Sequence, residues 1–189
     1  MSSQTLDTSN SSAGPERRSR LRQYQVQLLE RMQAAKTGAA ESGRELGVRI
    51  GDSLCLLDLT QISEIVPQQA VTPVPLARDW YLGLANIRGN LTGVIDLARY
   101  QGQAAGAGDA AAERRLITFA PGLGFNCALL AERVLGLRKL ADMEPVEQDA
   151  DDAPSWRNQH FRDGEGQQWI RIDLAQLVRE ARFSQVGLV

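Results

Sequence analysis

One four-residue string occurs twice in this 189-residue chain. Ile95-Asp96-Leu97-Ala98 recurs letter for letter as Ile172-Asp173-Leu174-Ala175, 77 positions later, and at the same offset Gly89 falls on Gly166. An earlier echo precedes it, because Leu54-Cys55-Leu56-Leu57 aligns with Asn126-Cys127-Ala128-Leu129 at an offset of 72. Ile62 and Ile65 then fall on Val134 and Leu137. Two echoes in the same order, at nearly equal offsets, indicate an internal duplication: each half carries a strand pair early and a hairpin with an Asp-capped turn late.

The local chemistry of the repeated stretch agrees. Leu84 to Ile87 and Leu91 to Ile95 are short apolar runs, and Arg88-Gly89-Asn90 between them has the composition of a tight reversal, with Gly89 and Asn90 tolerant of positive φ. Asp96 follows the second strand, where its carboxylate can accept from the free amides of a helix start. Asp173 stands in the same place of the second copy, after strands Trp156 to Phe161 and Gln167 to Ile172 joined by Asp163-Gly164-Glu165-Gly166. Leu174, Leu177, Val178 and Ala181 then recur at helical spacing and predict a C-terminal helix.

The remaining segments are short strands and turns. Leu46 to Ile50 and Leu54 to Leu59 flank Gly51-Asp52-Ser53 as a hairpin, and Thr60 to Val66 reads as one helical turn entering a strand that ends at Pro67. Pro73 and Pro75 force Val71 to Pro75 into an extended form suited to a sheet edge. Arg115 to Ala120 and Phe125 to Leu130 make a further pair, and Val134 to Leu140 another strand. Glu144 to Asp152 reads as a solvated acidic loop. At the N-terminus, residues 1 to 15 are expected to be disordered. Leu21, Tyr24, Leu28, Met32 and Ala35 predict an amphipathic helix from Glu16 to Lys36, ahead of a linker to Gly43. Such a helix could dock on the following domain, pair with a partner helix or touch an anionic surface.

The expected architecture is mainly β: two small five-stranded Greek-key-like (SH3-like) barrels in a pseudo-twofold relation, with a helix at each end. Residues 1–43 form the tail, helix and linker, and 44–189 the folded domain, with the boundary between barrels near 102–112.

Composition narrows the function. A formal net charge of −2 lacks the basic surplus that phosphate contacts demand. No apolar run approaches the ~20 residues of a membrane span, and the N-terminus lacks a signal pattern, so a cytoplasmic location is expected. Cys55 and Cys127 are expected to be buried free thiols. His160 is the sole histidine, which excludes a multi-histidine metal site, and no nucleophile elbow is present to use it. Gly102 to Ala112 lacks the Lys and Ser/Thr of a phosphate loop. With no catalytic group and no cofactor signal, the residues favour a binding module.

Gly83-Leu84-Ala85-Asn86-Ile87-Arg88-Gly89, followed by Val94-Ile95-Asp96-Leu97, resembles the signature of CheW-type chemosensory adaptors. Gly51-Asp52, Leu57-Asp58, Ile62, Glu64-Ile65, Pro75 and the closing Ile170-Arg171-Ile172-Asp173 fit as well, so the similarity runs from about 44 to 182. The N-terminal helix, and Phe161-Arg162 through Trp169, are similar to the branch serving type IV pilus (twitching) systems. The resemblance implies a non-enzymatic scaffold that couples a chemoreceptor's cytoplasmic tip to the regulatory domain of a CheA-type histidine kinase. It would sit at the inner face of the membrane in receptor arrays, without entering the bilayer and without binding nucleic acid.

Carried over by position, Ile62, Glu64 and Arg88 belong near the receptor groove, and Val71, Leu82 and Gly83 near the kinase face. Leu82 stands where many relatives carry Lys, which implies a more apolar kinase contact. Substituting Leu82 or Gly83 by Asp is then expected to abolish kinase binding with little effect on unfolding. Two readings of Arg88 stand side by side: a forked cation for a partner, or an internal ion pair with Glu64 that holds the turn. Gly83 likewise could be required only because a strand crosses closely. The alternative function is a sensor in which Arg88 grips a small anion between the barrels.

Overall fold

The computed structural model describes residues 43–103, 111–147 and 153–188. The expected N-terminal disorder and helix, most of the Gly/Ala-rich loop and the end of the acidic stretch lie outside the described residues. Twelve strands and three one-turn α-helices make up the described part. In chain order they are β1 (Arg44–Ile50), β2 (Ser53–Asp58), β3 (Ile62–Pro67), β4 (Val71–Thr72), β5 (Tyr81–Ile87), β6 (Asn90–Ile95) and α1 (Leu97–Tyr100). β7 (Arg115–Phe119), β8 (Cys127–Ala131), β9 (Arg133–Lys139), β10 (Glu144–Val146), β11 (Gln159–Arg162), β12 (Gln168–Ile172), α2 (Leu174–Leu177) and α3 (Ala181–Ser184) follow.

The strands form two six-stranded sheets, ordered β10-β11-β12-β2-β1-β9 and β3-β7-β8-β6-β5-β4. Each carries six strands where the sequence suggested five, because a short edge strand, β4 or β10, joins each. The duplication is visible in the pairing. β6 lies parallel to β8 with Ile95 opposite Leu129, and β12 lies parallel to β2 with Ile172 opposite Leu57. The two cysteines occupy matching places, Cys127 opposite Gly93 and Cys55 opposite Ile170. The halves interleave: β1 and β2 join a sheet otherwise built from β9–β12, and β7 and β8 join β3–β6. Both sheets therefore draw strands from both sides of residues 102–112.

Interleaving explains why the central strands are continuous apolar runs. In the β3–β8 sheet, Val94, Leu116, Ala128 and Leu130 point to one cluster with Val66, Ala85 and Ile87. Their chain neighbours Ile95, Ile117, Leu129 and Ala131 point to another. In the other sheet Leu56 and Trp169 face a cluster with Met143, while Leu46, Val48, Ile50, Cys55, Leu57 and Ile172 join the same shared cluster. With a side-chain period of two, each central strand supplies its own barrel with one face and the inter-sheet core with the other. Trp80, Tyr100, Trp156 and Phe183 fill the shared core, with Phe183 stacked on Trp80 at 5.9 Å between ring centroids and on Phe119 at 6.3 Å.

Three local expectations are corrected. Thr60–Gln61 is a turn rather than a helical segment: Asp58 Oδ1 accepts from the Thr60 amide at 2.8 Å and its hydroxyl at 2.7 Å, which leads directly into β3. The C-terminal helix is two single turns, because Glu180 is extended (φ −62°, ψ 125°) and redirects the chain to put Phe183 in the core. Trp156 lies in a 3₁₀ turn before β11, and its indole joins the shared core rather than a strand face.

Candidate functional site

The β5–β6 hairpin reverses through Arg88 and Gly89, with φ of 50° and 88°, and Asn90 already pairs with Ile87. The left-handed pair is thus Arg88-Gly89 rather than Gly89-Asn90, the arrangement of a two-residue turn matched to strand twist. Asn86 Oδ1 accepts from the Gly89 amide at 2.8 Å and braces it. In the second hairpin Gly166 has φ 82°, and Asp163 accepts from the amides of Glu165 and Gln167 and from the Trp169 indole, each at 2.9 Å.

The turn aims Arg88 at β3. Between Ile62 and Ile65 that strand has a bulge, and the Thr118 hydroxyl fills it by accepting from the Glu64 amide at 2.9 Å. An extra residue there frees Glu64 from the regular pleat. Arg88 Nε lies 3.0 Å from Glu64 Oε2, an ion pair rather than an aligned hydrogen bond, with side-chain exposures of 74% and 38%. β3 is the outer strand of its sheet and the hairpin lies beyond β7 and β8, so this pair joins distant members of one curled sheet. The sequence reading that paired Arg88 with Glu64 matches the geometry. Ile62 is half-buried against the shared core, and the apolar side chain that β3 leaves in solvent is Ile65. In the sequence Ile65 stood out as the echo of Leu137, which is exposed on β9 in the second copy, and within the Glu64-Ile65 pair of the family resemblance, but not as a contact residue.

Val71, Leu82 and Gly83 lie together on the β4–β5 edge. Val71 and Leu82 are half-buried against the cluster of Val66, Ala85 and Ile87. Gly83 is buried with φ 133°, and a Cβ added there would meet the Thr72 carbonyl oxygen and Pro73 Cα. The close-crossing account of Gly83 is therefore the one the backbone requires. It corrects the expectation that Gly83→Asp would leave unfolding unchanged.

Both caps are formed. Asp96 Oδ1 accepts from the Arg99 amide at 3.0 Å while Oδ2 lies 3.1 Å from Arg99 Nε. Asp173 Oδ1 accepts from the Gln176 amide at 3.1 Å and from Gln61 Nε2 at 3.0 Å, and Gln61 Oε1 accepts from the Leu174 amide at 2.7 Å. Nearby, Arg171 lies 3.0 Å from Glu45 and 3.2 Å from Asp58, which face each other across β1 and β2. Burial raises the Glu45 carboxyl above its usual range, and the Arg171 contact opposes that rise only in part.

Cys55 is buried as expected, whereas Cys127 is only half-buried; burial pushes the Cys55 thiol up to about 12 and the Cys127 thiol up to about 11. His160, half-buried in β11, is held below its usual value by burial and then by the Arg157 charge. Among the described residues no group of three or more His, Cys, Asp or Glu side chains is placed to hold a metal ion. Among them, too, no helix is long and apolar enough to cross a membrane. A cleft lined by Arg171, Asp173, Gln159 and Gln176 has its guanidinium already committed to two carboxylates.

The family of CheW-like domains matches residues 45–182. Protein PilI of Pseudomonas aeruginosa is 28% identical over 68 residues, 36% of this chain and 38% of that protein. This chain therefore spans well under half the length of that relative, and the similarity agrees with the pilus-branch resemblance. The crystal structure of the scaffolding protein TtCheW from Thermoanaerobacter tengcongensis superposes with a TM-score of 0.57 at 20% identity, covering 69% of this chain and 88% of that one. The shared fold is the pair of SH3-like barrels seen here. With its hairpin signature, its duplicated barrels and a family match across nearly all of the described residues, this chain belongs to the CheW-like domain family.

Proposed function

We propose that this chain is a chemosensory adaptor that couples chemoreceptor cytoplasmic tips to the regulatory domain of a CheA-type histidine kinase, acting by binding and not by catalysis. The observation that carries the reading is the CheW-like match over 45–182, on a fold shared with a scaffolding protein. The similarity to PilI favours a twitching-motility pathway, and a receptor-coupled adaptor would work in the cytoplasm, at arrays on the inner face of the membrane.

The β3 edge and the Arg88 turn form the receptor side. Glu64 and Arg88 offer charges that a receptor helix can exchange into, and Ile62 with the more exposed Ile65 supplies apolar area for a helix in a groove. Val71, Leu82 and Gly83 form the kinase side, where Gly83 acts by keeping β4 against β5. Arg88 gives little support to a small-anion sensor, because it stands on a protruding turn and is already paired.

The test is a titration of the purified protein against a receptor hairpin and, separately, the kinase regulatory domain. Arg88→Ala and Ile65→Asp should weaken receptor binding about tenfold or more and leave kinase binding intact. Unchanged receptor affinity in both variants would remove this surface from the proposal.

A further inference from the structure

The sequence assigned no role to the residues after Ser184, yet they pair through a single β-bridge with the loop between β4 and β5. Ala77 and Gly187 form an isolated antiparallel bridge. The Arg78 amide donates to the Val186 carbonyl at 2.8 Å, the Leu188 amide to the Leu76 carbonyl at 2.8 Å, and Arg78 Nε to the Gln185 carbonyl at 3.0 Å. Val186 packs on the shared core just beyond Phe183, which anchors the segment from within.

The loop so held is under strain. Leu76 has φ 57°, a conformation that side-chain-bearing residues rarely adopt, and its side chain is 74% exposed. Burial of Leu76 therefore does not stabilise the turn, and the two backbone bonds on either side of Ala77, at the Leu76 carbonyl and the Arg78 amide, are what fix its shape. The loop joins β4 to β5, and its start presses on Gly83 through Thr72 and Pro73. At its other end the Tyr81 amide donates to the Arg78 carbonyl at 3.0 Å.

We propose that residues 185–188 are a β-strap that holds the 73–79 loop, and through it the β4–β5 edge, in one binding-competent conformation. Releasing the strap loosens that edge without unfolding the barrels. The coupling to a partner rests on the reading of Val71, Leu82 and Gly83 as the kinase side, whereas the hold on the loop does not.

Hydrogen exchange of the unliganded protein reads the hold, and titration with the kinase regulatory domain reads the coupling. Leu188→Pro removes one strap donor, deletion of 186–189 removes the strap, and Leu188→Ala keeps the donor while removing the exposed side chain. The first two should speed exchange at Arg78 and Tyr81 about tenfold and weaken kinase binding by a similar factor, with the β6 and β8 amides still protected. Leu188→Ala should leave exchange unchanged. Unchanged Arg78 exchange in the deletion variant would overturn the strap, and faster exchange with unaltered affinity would overturn its coupling to binding. If the unaltered protein fails to bind the kinase domain, the functional reading falls and takes the coupling with it, while the exchange data still decide whether the strap holds the loop.

Discussion

The carbonyl of Trp80 accepts from the amide of Asp96 at 2.8 Å, and the carbonyl of Trp156 accepts from the amide of Asp173 at 2.8 Å. In each half a buried tryptophan ahead of the hairpin thus clamps the residue that ends it and caps the following helical turn. The tryptophans are 76 positions apart, close to the 77 of the Asp pair, so they belong to the same repeat. The clamp ties the shared aromatic core to the caps at both ends of the pseudo-twofold.

The caps should show in denaturant unfolding. Asp96→Ala should lower stability by about 1 kcal/mol, the usual worth of an N-cap. Asp173→Ala should cost more, because it also releases Gln61, which binds the Leu174 amide. Equal losses at the two sites would show that the Gln61 link is without effect.

Gly83→Ala should destabilise by about 3 kcal/mol or more, since the new methyl meets the Thr72 backbone at a strained φ. Arg88→Ala, removing an exposed ion pair, should cost about 1 kcal/mol or less. Thermal unfolding of the two variants side by side checks both, and only the second is then a clean probe of binding.

Arg171 separates two carboxylates that β1 and β2 place opposite each other. Replacing it with Met leaves the buried Glu45 beside Asp58 with no cation, and should cost about 3 kcal/mol at neutral pH. A loss below about 1 kcal/mol in urea unfolding would mean that Glu45 takes up a proton instead.

Glu132 gives a pH dependence of defined sign. Its carboxylate accepts from the Gly51 amide at 2.9 Å, yet burial raises its carboxyl above the usual 4.5. A raised folded value means that the native state holds the proton more tightly, so this group's contribution is full below 4.5 and is lost as pH rises through the raised value. Glu132→Gln keeps the acceptor and removes the charge. It should be more stable than the unaltered protein at pH 7 and indistinguishable below about pH 4, where both side chains are neutral. Unfolding curves across that range check the convergence.

Cys55 and Cys127, held as protonated thiols, should resist alkylation at pH 7.5 in the native protein and react once it unfolds. Rapid labelling of the buried Cys55 in the folded state would contradict its burial.

The local rules and their repetition are legible in the order of residues alone. Gly89 and Gly166 at the turns, Asp96 and Asp173 at the caps and the short apolar runs of the strands act through neighbours a few residues away, so their meaning can be read in place. The chemosensory family signature lies in the same short hairpin for that reason. Which half each strand serves is set by the folded chain, because parallel pairing of β6 with β8 and β2 with β12 depends on contacts dozens of residues apart. The fold also decides that Ile65 rather than Ile62 faces solvent, through a bulge set by Thr118, and that Gly83 is demanded by the Thr72 carbonyl. The tail at 185–188 carries no periodic signal, since two backbone hydrogen bonds to a strained loop hold it, and backbone bonds leave no mark on side-chain identity.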